Sequence, residues 1–120
     1  MATILIVDDV ASNREMLGKC VASLGHTPAY AATGDEAVAK ATALKPALVF
    51  LDVVMPGLDG FGACRRIKKD PATAAIPVVL VTAKTSDTDR FWGKKQGADD
   101  HIAKPWTPDQ IKAVLGRLLA

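Results

Sequence analysis

Ile4-Leu5-Ile6-Val7-Asp8-Asp9 and Ala47-Leu48-Val49-Phe50-Leu51-Asp52 are two short apolar runs, each closed by an acid. A strand with one wet face alternates apolar and polar residues. An unbroken apolar run of four or five reads instead as a strand covered on both faces. Ile76 to Val81 is a third such run, while Thr27 to Ala31 and Ile102-Ala103 are weaker strand signals. Between them the apolar period lengthens to that of a helix. Val10, Leu17, Val21 and Leu24 share one helical face, and Gly25 sits where a helix-ending glycine belongs. Thr33-Gly34-Asp35-Glu36 reads as a capping box for a helix to about Leu44, which Lys45-Pro46 ends. Met55-Pro56-Gly57 is turn chemistry, and Phe61, Cys64 and Ile67 form the stripe of a third helix. Ser86 caps a fourth helix to about Gln96, stopped by Gly97. Thr107-Pro108-Asp109-Gln110 joins a capping box to a proline at the first helical position, and Ile111, Val114, Leu115 and Leu118 give that helix its buried face.

Five strands alternating with five helices predict an α/β fold, doubly wound, with parallel strands, right-handed crossovers and helices on both faces of the sheet. At 120 residues, with 49% apolar and 23% charged residues, the expectation is one domain over 1–120. Two cysteines are too few for a disulfide framework, and Cys20 and Cys64 fall on apolar helical stripes, as small core residues do. Asp8 and Asp9 interrupt any secretory apolar region, and no run approaches the roughly 20 residues of a membrane span. The expected location is the cytoplasm, with no membrane insertion. Fifteen basic and thirteen acidic residues give a net charge of +2, and aromatic residues are 5%, so no nucleic-acid partner is expected. The pairs Arg65-Arg66, Lys68-Lys69 and Lys94-Lys95 read as solvated faces, and His26 as a surface residue beside a turn.

In an open parallel sheet, ligands bind beyond the carboxyl ends of the strands. Asp8 and Asp9 follow the first strand, Asp52 the third, Thr82-Ala83-Lys84 the fourth and Lys104-Pro105 the fifth. The fold would bring three carboxylates, a hydroxyl and an ammonium to one edge. Crowded carboxylates repel unless a cation joins them, and an all-oxygen donor set selects Mg²⁺ or Mn²⁺. A central carboxylate can attack phosphorus, Lys104 can neutralise phosphoryl charge, and Thr82 can hydrogen-bond a phosphoryl oxygen.

The Asp8-Asp9 pair, Asp52 followed by Met55-Pro56-Gly57, Thr82-Ala83 and Lys104-Pro105 resemble the receiver domains of two-component response regulators, in order and spacing and over the whole chain. The resemblance implies a sheet of strand order 2-1-3-4-5 and a phosphorylation-switched signalling module rather than an enzyme. It implies that Asp52 accepts a phosphoryl group from a histidine kinase or phosphotransfer protein. Asp9, Asp52 and the Val54 backbone carbonyl would ligate Mg²⁺ (or Mn²⁺), Asp8 would act mainly through water, and Thr82 and Lys104 would contact the phosphoryl group. Output would pass to a protein target through the face of the fourth helix, fifth strand and fifth helix, with Trp92, Lys95, His101 and Trp106. Trp92-Gly-Lys-Lys-Gln-Gly-Ala98 and Val54-Met-Pro-Gly57 are also similar to the small receivers of twitching-motility systems, which implies motility or chemotaxis-like control.

Three positions stand out against the family pattern. His101 occupies the place where receivers usually carry Tyr or Phe as a rotating switch, and Val54 and Lys84 lie where the family varies and tunes dephosphorylation. A Mg²⁺-dependent aspartyl-phosphate hydrolase of the haloacid dehalogenase type would need a second acid two residues after Asp52, where Val54 stands. A flavodoxin-like FMN protein would need a glycine- and hydroxyl-rich loop after the first strand, where Asp8-Asp9 would repel phosphate. A scaffold that takes no phosphate would not need the full set of site residues.

Overall fold

The computed structural model describes residues 2–119. Its elements are β1 (Thr3–Val7), α1 (Ala11–Ser23), β2 (Thr27–Ala31), α2 (Gly34–Leu44), β3 (Leu48–Leu51), α3 (Gly60–Lys69), β4 (Val78–Thr82), α4 (Asp87–Lys95), β5 (Asp100–Ala103) and α5 (Pro108–Leu118). The strands form one sheet, all parallel, in the order β2-β1-β3-β4-β5. This is the doubly wound fold that the alternating periodicities predict.

The unbroken apolar runs are explained by the two faces they feed. Successive side chains of a strand point to opposite sides. Leu5 and Val7 of β1 join Val49, Leu51 and Leu80 in one core, with Ala37 and Ala41 of α2 and Ala63, Cys64 and Ile67 of α3. Ile4 and Ile6 join Phe50, Val79 and Val81 in the other, with Leu17 and Val21 of α1 and Ile111, Val114 and Leu115 of α5.

The structure differs from the sequence expectation at several ends. Val10 is the N-cap of α1 and is exposed, not part of its buried stripe. Strand β4 begins at Val78 rather than Ile76, because Pro77 has no N–H for the ladder; its carbonyl instead accepts from the Val49 amide. Thr33 caps α2 through the Glu36 amide, but the Glu36 carboxylate reaches the Ala32 amide, so the box does not close on Thr33 itself. Cys20 is half-buried, whereas Cys64 is fully enclosed. The capping box expected at Thr107 is present, and the cap expected at Ser86 closes as a full box with Asp89. Among the described residues no helix is long and apolar enough to cross a membrane.

Candidate functional site

The sheet ladder runs past the strand ends and fixes the residues beyond them. The Asp8 amide donates to Ala31 O, the Asp52 amide to Val7 O, and the Lys104 amide to Thr82 O. The backbones that carry two acids and the lysine therefore continue the hydrogen-bond ladder of the strands. Each carboxylate is also held by the chain just ahead of it. Asp8 Oδ1 accepts from the Val10 amide at 2.9 Å, and Asp52 Oδ1 from the Val54 amide at 3.2 Å.

The remaining oxygens converge on one cation. Lys104 Nζ lies 2.6 Å from Asp8 Oδ2 and 2.8 Å from Asp52 Oδ2. Burial alone would lower the pKa of this ammonium. Hydrogen bonds and charge from Asp52 and Asp8 outweigh burial and hold it above the ordinary lysine value. Asp9 completes the group: Asp8, Asp9 and Asp52 each place a carboxylate oxygen within 4.8 Å of the others. Asp8 and Asp52 are buried and Asp9 is exposed. Three carboxylates gathered around one ammonium leave an excess of negative charge that a divalent cation can offset. The donors are all hard oxygens, so the residues present fit Mg²⁺ or Mn²⁺.

Thr82, wholly buried, ends β4 beside this group, and its Oγ1 accepts from the Lys84 amide at 3.2 Å. Val54 is exposed and lines a shallow groove with Lys84 and Asp89. On the other side of the acids, a cleft of about 300 Å³ runs between α1 and the loop after β5, lined by Asn13, Met16, Leu17, Pro105 and Trp106 as well as Asp8 and Lys104. Trp106 packs against the α1/α5 core, whereas Gly93 of α4 abuts Leu80 of the opposite core. Trp106 and Trp92 therefore lie on different sides of the sheet. Trp92 and Phe91 form an exposed edge-to-face pair on α4, with Lys95 Nζ 5.6 Å from the Phe91 ring centre. His101, on β5, is half-buried against α4 and the Lys84 carbonyl. The Lys104–Pro105 peptide bond is cis.

Two contributors are not visible in a list of strand ends. Gly60, the first residue of α3, is pressed onto the site: a Cβ there would lie 2.1 Å from Asp52 O. The Asp59-Gly60 pair after Met55-Pro56-Gly57 is its only sequence signal, and it reads merely as a turn. Arg14, one helical turn into α1, reaches back so that its guanidinium donates to Asp8 O at 2.7 Å. No motif marks it. Cys64 is the reverse case, a reactive residue type without a reactive setting. Burial pushes its thiol up to about 12; nearby Lys68 lowers it and Asp99 raises it.

A parallel sheet of this order, with paired acids after β1, a buried acid after β3 and a lysine after β5, defines a class. The chain belongs to the response regulator receiver domain family, whose model matches residues 4–116. It is 43% identical over 120 residues to Protein PilH of Pseudomonas aeruginosa, covering 100% of this chain and 99% of that protein. Its backbone is similar to that of the chemotaxis protein CheY4 of Vibrio cholerae, with a TM-score of 0.93, 32% identity and 99% of each chain covered. The receiver domain of the sensor histidine kinase PA1611 of Pseudomonas aeruginosa is also similar, with a TM-score of 0.91 and 28% identity over 98% of this chain and 97% of that one. That structure has a magnesium ion coordinated in its active-site cleft. The protein is thus a two-component signalling receiver, of the kind switched by phosphorylation.

Proposed function

We propose that Asp52 is the phosphoacceptor and that the other edge residues serve its reaction. The observation that carries this is the position of Lys104 Nζ, within hydrogen-bonding distance of both Asp8 and Asp52 at the end of a buried strand. A carboxylate oxygen of Asp52 attacks the phosphorus of a phosphohistidine on a kinase or phosphotransfer protein. The P–N bond breaks, a P–O bond forms, and the imidazole leaves with its electron pair and takes up a proton. The product is an acyl phosphate on Asp52. Lys104 then turns its charge toward the phosphoryl oxygens, and the Thr82 hydroxyl donates to one of them. Asp8, Asp9 and Asp52 with the Val54 carbonyl would hold Mg²⁺ (or Mn²⁺), which supplies the positive charge that lets a phosphoryl group approach these acids. The PA1611 receiver supports this assignment by its bound magnesium.

The apolar cleft between α1 and Trp106 opens beside the acids, and exposed Met16 at its rim suits a donor protein that must bring its phosphohistidine to Asp52. Exposed Phe91 and Trp92 with Lys95 suit a different contact, the protein target of the output. This receiver domain acts in the cytoplasm, and not as a turnover hydrolase. The Val54 side chain offers no hydrogen bond to an attacking water, and the Lys84 ammonium is no general base, so the acyl phosphate is slow to lose its phosphoryl group. Acetyl phosphate with Mg²⁺, followed by intact mass, tests the reading. It predicts a stable gain of one phosphoryl group that excess EDTA prevents. Continuous phosphate release at high turnover would identify a hydrolase instead, and an unchanged mass would identify a scaffold.

A further inference from the structure

Lys84 is gripped at both ends of its backbone. Its amide donates to Thr82 Oγ1 at 3.2 Å, and its carbonyl lies 2.8 Å from His101 Nε2. A carbonyl only accepts, so Nε2 carries the proton and Nδ1 of the neutral ring is bare. Nδ1 is buried and has no hydrogen-bond partner, the only such side-chain atom among the described residues. It lies near Gly93 of α4. A Cβ built on Gly93 of α4 would sit 3.5 Å from Nδ1, 2.7 Å from Leu80 Cδ1 and 3.6 Å from Phe61 Cε1.

A proton added to Nδ1 would create a charge and a donor where nothing accepts it. Of the charged groups around the ring only Asp89 attracts a charge on it, and that carboxylate is exposed to water and bonded to Ser86. From α4 come the cations Arg90 and Lys94, and Lys84 itself is a cation. Asp89 is engaged with Ser86, Asp99 with Lys68 and the Val78 amide, and Asp100 with Arg117 of α5 and the His101 amide. The charged ring therefore gains by turning away from Gly93 into the groove that His101 already lines with Arg90, Lys94, Asp99 and Asp100, where water reaches it.

We propose that His101 is a proton-linked latch on the β4–α4 loop, and that proton binding at His101 and phosphorylation at Asp52 oppose each other. The chain of contacts is continuous: Thr82 Oγ1, the Lys84 peptide units, His101, Gly93. When the Thr82 hydroxyl turns to a phosphoryl group, Lys84 loses one of its two holds. The loop then depends on the bond from the neutral His101 ring, which acid removes. Reciprocity requires that phosphorylation in turn resist proton uptake by the ring. The inference rests on the reading of Asp52 as phosphoacceptor and adds to it a second input, acidity, at a position distinct from the acids.

Two measurements test it. In the unphosphorylated protein, ring-nitrogen NMR should show the Nε2–H tautomer for His101. Acidification from about pH 8 to about pH 5.5, across the range in which an imidazole titrates, should move the Thr82 and Lys84 amide signals in the native protein but not in His101→Phe. In the second, beryllofluoride with Mg²⁺ is titrated at both pH values. The native affinity should fall about fivefold more than that of His101→Phe over this range. His101→Gln, which donates to the Lys84 carbonyl without titrating, should track His101→Phe in slope and the native protein in strength at the higher pH. Equal slopes in native protein and His101→Phe, or an Nδ1–H tautomer, would overturn the latch. Failure of beryllofluoride to bind at either pH would instead overturn the phosphoacceptor reading, and the ring titration alone would then decide the latch.

Discussion

The carboxyl edge of the sheet and the outer surface of α4 break opposite rules. At the edge, Asp8, Asp52 and Thr82 are polar yet buried. On α4, Phe91 is 60% and Trp92 48% exposed, and Gly93 is the one buried residue of the helix. Buried charge costs stability unless it is paired, and exposed aromatic area forgoes hydrophobic stabilisation. The edge offsets its cost with bonds from every side: ladder amides, the Val10 and Val54 amides, and Lys104. The α4 surface does not offset its own and stays available to a partner. The comparison teaches that a preorganised site and a movable reporter ask for different packing, and that a lightly seated helix belongs to the low-stability parts of a fold from which moving elements are drawn.

The most severe way to break this division is at Asp52. Asp52→Asn keeps the shape and removes the nucleophile, so labelling by acetyl phosphate with Mg²⁺ should vanish in the intact mass while the fold survives. A phosphoryl group still gained by this variant would move the reaction to a neighbouring acid and remove Asp52 from the centre of the edge.

A methyl group placed on each side sharpens the contrast. In Gly60→Ala the new carbon meets the Asp52 carbonyl at 2.1 Å, and backbone cannot rotate away. The expected loss is about 3 kcal/mol in urea unfolding, the upper end for overpacking, with impaired phosphorylation because Asp52 itself is displaced. In Gly93→Ala the contact is Leu80 Cδ1 at 2.7 Å, the far end of a side chain that can turn. Alanine also favours the helix, so the net loss should be about 1 kcal/mol. Similar losses at the two glycines would show that α4 is seated as rigidly as the edge.

Most of the edge is legible in the sequence because its residues follow strands, and strands buried on both faces announce themselves as unbroken apolar runs. Asp52 could be placed without any contact being known, since Ala47 to Leu51 fixes where β3 ends. The alternation of periods likewise gives five helices, because the caps at Ser86 and Thr107 carry their own local chemistry. Contacts that join distant segments carry no such signal. Gly60 touches Asp52 because α3 turns back over β3, and Arg14 touches Asp8 O because α1 turns back over β1. Val10 misleads for a related reason: its spacing from Leu17 is helical, but it stands one residue before the helix, where nothing covers it. Trp106 follows Lys104-Pro105 in a loop, and only the packed structure shows that it turns toward α1.

The smallest expected effect concerns the charge that unites the edge. The Lys104 pKa is raised because Asp52 and Asp8 stabilise its charged form more than burial opposes it. A group whose pKa is higher in the folded protein stabilises the fold fully below its unfolded value, about 10.4 for lysine. That contribution is lost as pH rises through the folded value. The window is therefore alkaline, and nothing should change for this pair between neutral pH and about pH 9 on account of Lys104. Lys104→Met removes the titrating group while keeping its length. Without divalent cation, the native protein should be the more stable of the two at neutral pH, and the gap should narrow only above about pH 10.4. The ammonium is about one-fifth exposed, so water screens part of the interaction and the narrowing will be modest. Urea midpoints of both proteins across this range give the comparison directly. A gap that closes already between pH 7 and 9 would mean that another group, and not Lys104, holds the two buried carboxylates together.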